Sequence, residues 1–373
     1  MNVNKNVNKD ELAELGWDSF FRDQFQLLEA QECVPVRVVD QRRHSYRVHG
    51  AYGEMTAILP GRMLRDARTG DMLPAVGDWV VVRPNTDEQK GLIYAVLPRR
   101  TCFSRKISDD RARRSGGRTR KQVLATNVDT VFIVNGLDGS RNLNLRKLER
   151  YLTLAWESGA SPVIILNKVD LCPDVDVRIR EVEPVALGVP IHAVSATEQL
   201  GLDALEMYLT RGKTAVFLGP SGVGKSALIN ALLGIERQEV GEVRDTDRKG
   251  RHTTSRRELI LLPEGGAVID TPGLRTIQMW ADEDSLSSVF EDIERLAHEC
   301  RFRDCTHHSE PGCAVKAATQ QGSLDVARLQ SYRKLEKELR HLAVRQDNKA
   351  RLEEKAKWKR ISQWSRRNPK NNQ

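Results

Sequence analysis

The feature that most constrains this chain is one stretch of fourteen residues, Ala215–Leu228, which reads AVFLGPSGVGKSAL. The apolar run 215–218 predicts a buried strand, and the run 227–233 predicts the helix that follows it. The loop between them fits the pattern G-x-x-x-x-G-K-[ST], whose glycines let backbone N–H groups surround phosphate oxygens. The helix N-terminus adds partial positive charge at the same point. The stretch therefore predicts a phosphate-binding loop, or P-loop, on an α/β sheet.

The predicted phosphate contacts run from the first glycine of the loop into the helix. Lys225 is expected to reach the β- and γ-phosphates and to act in catalysis, and Ser226 to ligate Mg²⁺. The alternative is a chance glycine-rich turn, which would not need a strand before it and a helix after it. The residues predicted to bind nucleotide here are Gly219, Pro220, Ser221, Gly222, Val223, Gly224, Lys225, Ser226 and Ala227.

A second apolar run, 162–166, ends in Asn167-Lys168-Val169-Asp170, the N-K-x-D pattern of GTP-binding proteins. The carboxylate of Asp170 can accept hydrogen bonds from both N1–H and the exocyclic amine of guanine, whereas adenine lacks that pair of donors. Asn167 and Lys168 are expected to brace the loop and cover the base. The tetrapeptide therefore favours a guanine nucleotide and argues against the alternative of a P-loop ATPase.

Two further strand ends complete the predicted nucleotide site. The run 191–194 ends in Ser195-Ala196, which is typical of the second base-contacting loop. The run 267–269 leads into D-T-P-G, in which Asp270 and Gly273 are expected to reach Mg²⁺ and the γ-phosphate. Any one of these short patterns is weak, but four of them at four strand ends make chance an implausible explanation.

The segment GRHTT, residues 250–254, lies where the first switch of a GTPase is expected. One of its two threonines should ligate Mg²⁺; Thr254 is favoured and Thr253 is the alternative. The residue after D-x-x-G is Leu274, where many GTPases have a glutamine that orients the attacking water. Because leucine cannot hydrogen-bond, His252 becomes the catalytic candidate, since an imidazole can accept from water. Contact with RNA, or simple packing, are the other roles open to His252.

The order of the motifs is unusual. Ordinary GTPases begin with the P-loop and have N-K-x-D late, whereas here the order is NKVD, SA, GPSGVGKS and DTPG. This order predicts a circularly permuted domain over residues 123–281, which is physically tolerable because domain termini often lie close together. A helix over 202–209 should then lead into the P-loop strand, and whatever follows residue 280 is attached to the second switch.

The region before the GTPase is expected to be a small β-barrel over residues 31–103. Short apolar or alternating runs separated by glycine, proline, Asn or Asp suit a closed five-stranded barrel, and an OB-fold is favoured over another small barrel. Residues 1–30 form a polar N-terminal extension, weakly helical near 19–29. The predicted strands are 34–38, 46–48, 55–59, 76–82 and 91–97.

The chain has 373 residues and a net charge of +8, which favours a polyanionic partner. Residues 104–122 are expected to be a basic connector; from Arg99 to Lys121 there are ten cations against two acids, which favours phosphate-backbone contact over a solvated linker. From Val326 onward there are 15 lysines and arginines against 5 acids, with Trp358 and Trp364 among them. This tail could bind RNA, or it could be a solvated helix.

No membrane span or signal segment is predicted, and the cytoplasm is the expected location.

Clustered cysteines predict a metal site in the region 282–373. The spacing Cys300-x4-Cys305-x-His307-x5-Cys313 offers three thiolates and one imidazole, the ligand set of a closed, structural Zn²⁺ site. His307 is chosen over His308 and His298 on spacing alone, and four unrelated residues are the alternative. One zinc ion per chain is expected.

These residues together closely resemble one family, the circularly permuted small ribosomal subunit-dependent GTPase A of bacteria. The resemblance rests on the OB-like domain, the order NKVD–SA–GPSGVGKS–DTPG, the GRHTT switch and the C-x4-C-x-H-x5-C cluster. It implies a multidomain chain: an OB-fold barrel, a permuted P-loop α/β GTPase and a mostly helical zinc-binding domain. It also implies a cytoplasmic GTPase, expected to be a monomer, that uses Mg²⁺ with GTP.

The same resemblance implies that the chain binds the small ribosomal subunit and its rRNA late in subunit maturation, and that the subunit accelerates hydrolysis of GTP to GDP. The competing hypothesis is a zinc-containing RNA-binding assembly module that uses GTP only as a conformational latch. The extended N-terminus and the basic tail are less well covered by the resemblance.

Overall fold

The computed structural model describes residues 9–28, 30, 32–42, 45–61, 63, 73–85, 89–108, 119–139, 143–235, 257–270, 289–303, 305–308 and 310–337. The chain divides into two compact units, residues 1–279 and residues 280–373. The basic tail beyond residue 337, with the two tryptophans predicted to contact RNA, lies outside the described residues.

The N-terminal extension forms two short helices, α1 (Lys9–Glu14) and α2 (Ser19–Gln26). Asp18 caps α2, because its side chain accepts from the backbone N–H of Phe21 at 3.4 Å. The apolar side chains of Leu12, Leu15 and Phe21 are buried in one cluster with Trp79, Val81 and Leu97 of the barrel. The helix predicted near 19–29 is therefore confirmed, and the polar extension has an apolar face that packs against the barrel.

The barrel has the strands β1 (Val34–Gln41), β2 (Ser45–Gly50), β3 (Gly53–Ile58), β4 (Trp79–Asn85) and β5 (Lys90–Val96). These strands close in the order β1-β2-β3-β5-β4, and β4 returns to pair with β1. The pairing of β3 with β5 is parallel, and the other barrel pairs are antiparallel. The interior is lined by apolar side chains, of which Val38, Val48 and Ile93 are fully buried. β1 and β4 are buried over consecutive residues, and therefore on both faces. This arrangement fits an OB-like fold.

The predicted connector contains regular structure. β6 (Cys102–Ser108) and β7 (Thr119–Thr126) pair as an antiparallel two-stranded sheet. Two of the cations assigned to phosphate contact have internal partners instead. Arg99 binds the buried carboxylate of Asp78 through Nε at 2.8 Å and Nη2 at 2.7 Å. Arg100 forms an ion pair with Asp18 and lies over the rings of Phe20 and Phe21 at 4.7 and 4.8 Å. A sequence count cannot separate such internal cations from those that face a partner.

In the described residues of the GTPase part, the sheet has the strands β8 (Thr130–Gly136), β9 (Ser161–Asn167), β10 (Ile191–Val194), β11 (Thr214–Leu218), β12 (Glu258–Leu261) and β13 (Ala267–Asp270). Their order across the sheet is β10-β9-β8-β11-β13-β12. All its pairings are parallel except that of the edge strand β12. Apolar strands such as β11 are buried along their whole length, as expected for a sheet with helices on both faces.

In the part of the chain that the structure describes, four helices accompany this sheet. The helix predicted over 202–209 is shorter than expected, because the N–H groups of Tyr208 and Leu209 bond three residues back, at 3.1 and 2.9 Å, as in a 3₁₀ turn. The helices are α3 (Leu145–Ser158), α4 (Val175–Val182), α5 (Asp203–Glu206) and α6 (Lys225–Leu233), with 3₁₀ turns at Val169–Leu171 and Glu183–Val185.

The barrel and the GTPase sheet are joined edge to edge. Asp40 of β1 pairs with Glu258 of β12, so the five barrel strands and the six strands of the GTPase part form one hydrogen-bonded sheet. Beside this bridge, Arg47 of β2 forms an ion pair with Glu258. The strand that follows the predicted first switch is thus in direct contact with the barrel.

The described part of the second unit is helical, with α7 (Glu291–His298), α8 (Ala314–Gln320) and α9 over residues 326–337. Arg328 of α9 is buried and binds Asp292 of α7 through two bonds of 2.7 and 2.8 Å. Tyr332 donates to Glu294 at 2.9 Å. Among the residues that the structure describes, no helix is both long and apolar enough to cross a membrane.

Candidate nucleotide-binding site and metal centre

The parallel strands bring the predicted nucleotide loops to one edge of the sheet. β9 leads into NKVD, β10 into Ser195-Ala196 and β11 into the P-loop, and parallel neighbours have their carboxyl ends at the same edge. β8 lies between β9 and β11, so the turn after β8 opens between NKVD and the P-loop. In open α/β sheets this edge is the usual position of a ligand crevice.

The P-loop takes the shape that its glycines permit. Gly219 has φ 150° and Gly224 has φ 95°, both in the region that favours glycine. A Cβ at Gly219 would lie 2.4 Å from the carbonyl oxygen of Val134, and one at Gly224 would lie 2.1 Å from Nδ2 of Asn167. The two glycines therefore let the loop pack against β8 and the NKVD loop. Gly224 then caps α6, so the helix N-terminus faces the loop.

Lys225 and Ser226 form the first turn of α6 and are both half-buried. The Lys225 ammonium donates to the carbonyl oxygen of Gly219 at 2.9 Å and to that of Pro220. Its charge is thus held over the mouth of the loop, where a phosphate would be bound. Both side chains predicted to serve the phosphates and Mg²⁺ lie at one helix N-terminus.

Asn167 connects three nucleotide loops. Its side chain is 1% exposed; Nδ2 donates to the carbonyl oxygen of Val223 in the P-loop at 2.9 Å, and Oδ1 accepts from the N–H of Ala196 at 3.1 Å. The bracing role predicted for Asn167 thus has its contacts in the structure. Since each partner is a backbone group, the contacts constrain the shape of the loops themselves.

Asp170 is exposed, in the 3₁₀ turn just after Asn167, which leaves its carboxylate accessible to a base. Ser195 is fully buried, and its hydroxyl accepts from the N–H of Glu198 at 3.1 Å. Backbone bonds of 3.0 Å in both directions between Ser195 and Leu200 close the same turn. Ser195 therefore shapes its loop through its side chain, while Ala196 faces Asn167.

Asp138 is a residue at this edge that sequence reasoning missed. It lies in the turn after β8, and its carboxylate forms an ion pair with the ammonium of Lys168. The neighbouring Leu137 donates its N–H to the carbonyl oxygen of Asn167 at 2.9 Å. The available signal was positional: the apolar run 131–134 is typical of a strand, and the residues after a strand of a parallel sheet reach the edge where the other loops meet.

Several predicted residues lie outside the described part of the chain. These are the first-switch candidates His252, Thr253 and Thr254, together with Gly273 and Leu274 of the second switch. Asp270, the last residue of β13, is described and half-buried. It stands at the same carboxyl edge, since β13 pairs in parallel with β11.

In the second unit, the four predicted metal ligands come together. The Sγ atoms of Cys300, Cys305 and Cys313 and a ring nitrogen of His307 all lie within 4.8 Å of one another. Nδ1 of His307 is 3.6 Å from Sγ of Cys300 and 3.5 Å from Sγ of Cys313. His308 is exposed, whereas His307 is 7% exposed.

The chemistry of this cluster suits a thiophilic cation. Three thiol groups and one imidazole are the donors of a closed tetrahedral site. Burial lowers the pKa of His307, which favours the neutral form that a metal requires. Arg333 of α9 donates to the backbone carbonyl of His307, so the ligand loop is attached to the helix. The residues present therefore fit a structural zinc ion.

A cleft of about 740 Å³ lies at the opposite, amino edge of the sheet, where β8 and β9 begin. Its walls carry charges that are paired across the junction between the extension, the barrel and the GTPase sheet. Arg211 of the GTPase part binds Asp10 of α1 at 3.3 Å, and Arg100 forms its ion pair with Asp18. We assign these groups to holding the junction together, because their charges are already matched within the chain.

The sheet, the P-loop at a helix N-terminus, the NKVD loop joined to it and the permuted strand order define a circularly permuted P-loop GTPase. The family model described as "RsgA GTPase" matches residues 96–280. A model described as "ABC transporter" matches residues 202–368, a range that includes the P-loop. Since a P-loop is common to both classes, whole-length similarity decides between them.

Whole-length relatives agree with the first model. The chain is 46% identical over 364 residues to the "Small ribosomal subunit biogenesis GTPase RsgA" of Opitutus terrae, with 95% of this chain and 97% of that protein covered. It is 43% identical to the "Small ribosomal subunit biogenesis GTPase RsgA 1" of Oceanobacillus iheyensis, with 89% of this chain and 92% of that protein covered. The chain belongs to the RsgA GTPase family, and GTP hydrolysis is the activity that this membership implies.

Two solved structures are similar in fold. The crystal structure of YjeQ from Thermotoga maritima aligns with a TM-score of 0.59 at 27% identity, with 82% of this chain and 98% of that chain covered. The structure of YloQ, described as a circularly permuted GTPase, aligns with a TM-score of 0.57 at 24% identity, with 83% of this chain and 96% of that chain covered. The permutation read from the motif order is thus confirmed at the level of fold.

Proposed function

We propose that this chain hydrolyses GTP while bound to the small ribosomal subunit, that it acts through contacts with rRNA late in subunit maturation, and that the subunit accelerates its turnover. The relatives that match almost the whole chain carry names that place them in small-subunit biogenesis. The observation that carries the guanine-nucleotide part is Asn167, which holds the P-loop and the base loops together beside the exposed Asp170.

We propose a separate role for each motif residue of the nucleotide site. Lys225 stabilises charge on the transferring phosphoryl group, and Ser226 with Thr254, or Thr253, holds Mg²⁺. Asp170 reads guanine, Asn167 and Lys168 support the loop, and Asp270 and Gly273 reach Mg²⁺ and the γ-phosphate. His252 is the proposed partner of the attacking water, because Leu274 cannot hydrogen-bond.

We further propose one structural zinc ion per chain, held by Cys300, Cys305, His307 and Cys313. The domains that carry these functions are 1–30, 31–103, 104–122, 123–281 and 282–373. The protein would act in the cytoplasm as a monomer, with the barrel, the basic segments and the zinc-binding domain supplying contacts to RNA.

Turnover of GTP measured with and without purified small ribosomal subunits tests this proposal. Small subunits should raise the rate strongly, and large subunits at the same concentration should not. Co-sedimentation with small subunits should be stronger with a non-hydrolysable GTP analogue than with GDP. Equal binding in both nucleotide states and no stimulation would contradict the proposal.

One alternative is a zinc-containing RNA-binding module in which GTP serves only as a latch. In that case subunits would bind in a nucleotide-dependent manner, but their presence would leave the hydrolysis rate unchanged. The same two measurements therefore separate the enzyme from the latch.

A further inference from the structure

Asp138 belongs to none of the GTPase motifs, yet it lies among them. It follows β8, whose last residue, Gly136, is paired in register with Asn167 at the end of β9. The backbone bond of 2.9 Å from Leu137 to Asn167 continues that pairing beyond the strands. The turn that carries Asp138 is therefore held against the NKVD loop by the backbone, which places its carboxylate beside Lys168.

The ion pair between Lys168 and Asp138 is partly shielded from water. The Lys168 side chain is 24% exposed and that of Asp138 is 26% exposed. Screening by solvent and salt is weaker here than for a fully exposed pair, so the contact can hold an otherwise mobile lysine side chain. A free lysine at this position would sample many rotamers, and ordering it on ligand binding would cost affinity.

The backbone of Lys168 is also unusual. Its φ of 68° and ψ of 39° lie in the left-handed region, which residues other than glycine rarely adopt. Such conformations persist at functional sites when the surroundings hold them. Here the side chain is anchored by Asp138, and the carbonyl of Lys168 accepts from the N–H of Leu171 at 3.1 Å.

That backbone conformation decides where Asp170 is presented. Lys168 is the residue from which the 3₁₀ turn Val169–Leu171 begins, and Asp170 is the middle residue of that turn. We propose that Asp138 is a positioning residue for guanine recognition: by binding Lys168 it holds the left-handed turn that orients Asp170 and keeps the lysine stem in place over the base. This inference rests on the proposed role of NKVD in base binding.

We call the ion pair between Asp138 and Lys168 the brace. The substitution Asp138→Asn tests it, because this change removes the charge and keeps the size of the side chain. Loss of a partly shielded ion pair should speed GDP dissociation by roughly threefold to fivefold. It should also raise KM for GTP by more than it changes kcat. Asp138→Glu, which keeps the charge on a longer side chain, should show a smaller effect and serves if Asp138→Asn folds poorly. The matched control is Asp174→Asn, which removes the charge of an exposed acid just beyond the NKVD motif. Its GDP dissociation rate and KM should equal those of the unsubstituted protein.

A double-mutant cycle with Lys168→Met separates positioning from general destabilisation. In the Lys168→Met background, Asp138→Asn should have no further effect on GDP dissociation. Inhibition by inorganic tripolyphosphate, which occupies only the phosphate half of the site, should be unchanged in Asp138→Asn. A brace that acts through the base loop predicts this difference, whereas a distorted site would weaken both ligands alike.

The outcomes distinguish this inference from the function on which it rests. If Lys168→Met and Asp170→Asn both leave GDP dissociation unchanged, the NKVD assignment fails and the brace fails with it. If those two variants speed dissociation and Asp138→Asn does not, the base site stands and the brace is overturned. An Asp138→Asn effect that persists fully without Lys168, or that extends equally to tripolyphosphate, also overturns it.

Discussion

Arg37 of the barrel donates from Nη2 to the backbone carbonyl of Asn127, at the start of the GTPase sheet, at 3.1 Å. The same guanidinium donates to the carbonyl of Leu15 in the extension at 2.5 Å and to that of Gly77 at 3.3 Å. One buried side chain thus joins three parts of the first unit. Burial lowers the pKa of Arg37 to about 10, opposed by the nearby charges of Asp129 and Asp78, so the group remains cationic at neutral pH.

Arg37→Met should therefore destabilise the first unit by about 2–4 kcal/mol, because three buried carbonyl groups lose a charged donor. Urea unfolding followed by tryptophan fluorescence measures the change. Arg178→Ala, at an exposed ion pair with Glu181, should leave the free energy of unfolding nearly unchanged, because solvent screens that pair. Equal stability of the two variants would contradict the role given to Arg37.

Asp170→Asn should weaken GTP binding by about 100-fold, because a bidentate, charge-assisted contact to guanine is lost. The extra carbonyl of xanthine suits an amide donor, so preference should shift towards xanthine nucleotides. Competition between labelled GDP and unlabelled GTP, XTP and ATP measures both effects. Equal competition by ATP and GTP in the unsubstituted protein would show that the predicted specificity for guanine is wrong.

Lys225→Ala and Ser226→Ala should each lower GTP turnover by at least about 100-fold, since each removes stabilisation of the transferring phosphoryl group. Phosphate release under saturating GTP is the measurement. Lys213→Ala is the control, since this lysine pairs with Asp129 at the opposite edge of the sheet. Normal turnover in either P-loop variant would remove the loop from the mechanism.

Protein purified without chelator should contain one zinc ion per chain by elemental analysis. Cys313→Ala should lower that content and unfold the second unit, whereas nucleotide binding by the first unit should persist. Zinc should also be released as pH falls, because protons compete for the thiolates and the imidazole. The matched control, Cys172→Ala, lies outside the cluster and should keep its zinc. Absence of zinc from the unsubstituted protein would refute the metal assignment.

The last prediction concerns how RNA binding reaches the nucleotide. The isolated protein should turn over slowly, and His252→Ala should lose the subunit-stimulated rate while it still binds subunits with a GTP analogue. A chain truncated after residue 281 should bind nucleotide without stimulation, because the zinc-binding region follows the second switch directly. Stimulation should fall as salt rises.

Full stimulation of the truncated chain would move this coupling to the barrel. The structure offers a route there, since Arg47 of the barrel contacts Glu258 of β12, the strand that follows the first switch. Arg47→Ala, measured in the full-length chain, would then be the variant that loses stimulation while it retains basal turnover.

Much of the nucleotide site could be predicted from the chain alone. The P-loop, NKVD and the cysteine cluster are short motifs whose chemistry requires particular residues at particular spacings. The buried parallel strands can be predicted because they are continuous apolar runs in the sequence. Because the carboxyl ends of parallel strands share an edge, these predictions also placed the P-loop and Asn167 together. Their order along the chain predicted the permutation.

Other features depend on contacts between residues far apart in sequence. Asp138 is an ordinary loop acid until β8 is placed between β9 and β11, which brings it to Lys168. Arg99 reads as part of a basic run until the fold buries Asp78 beneath it. The sequence around a residue indicates the chemistry of a motif, but it does not show which residues far away in the chain will contact that residue in the fold. The sequence by itself therefore determined the chemistry of the motifs. The partners of Asp138 and Arg99 were decided only by the tertiary structure, because packing determines which charged groups lose water and must then be paired within the protein.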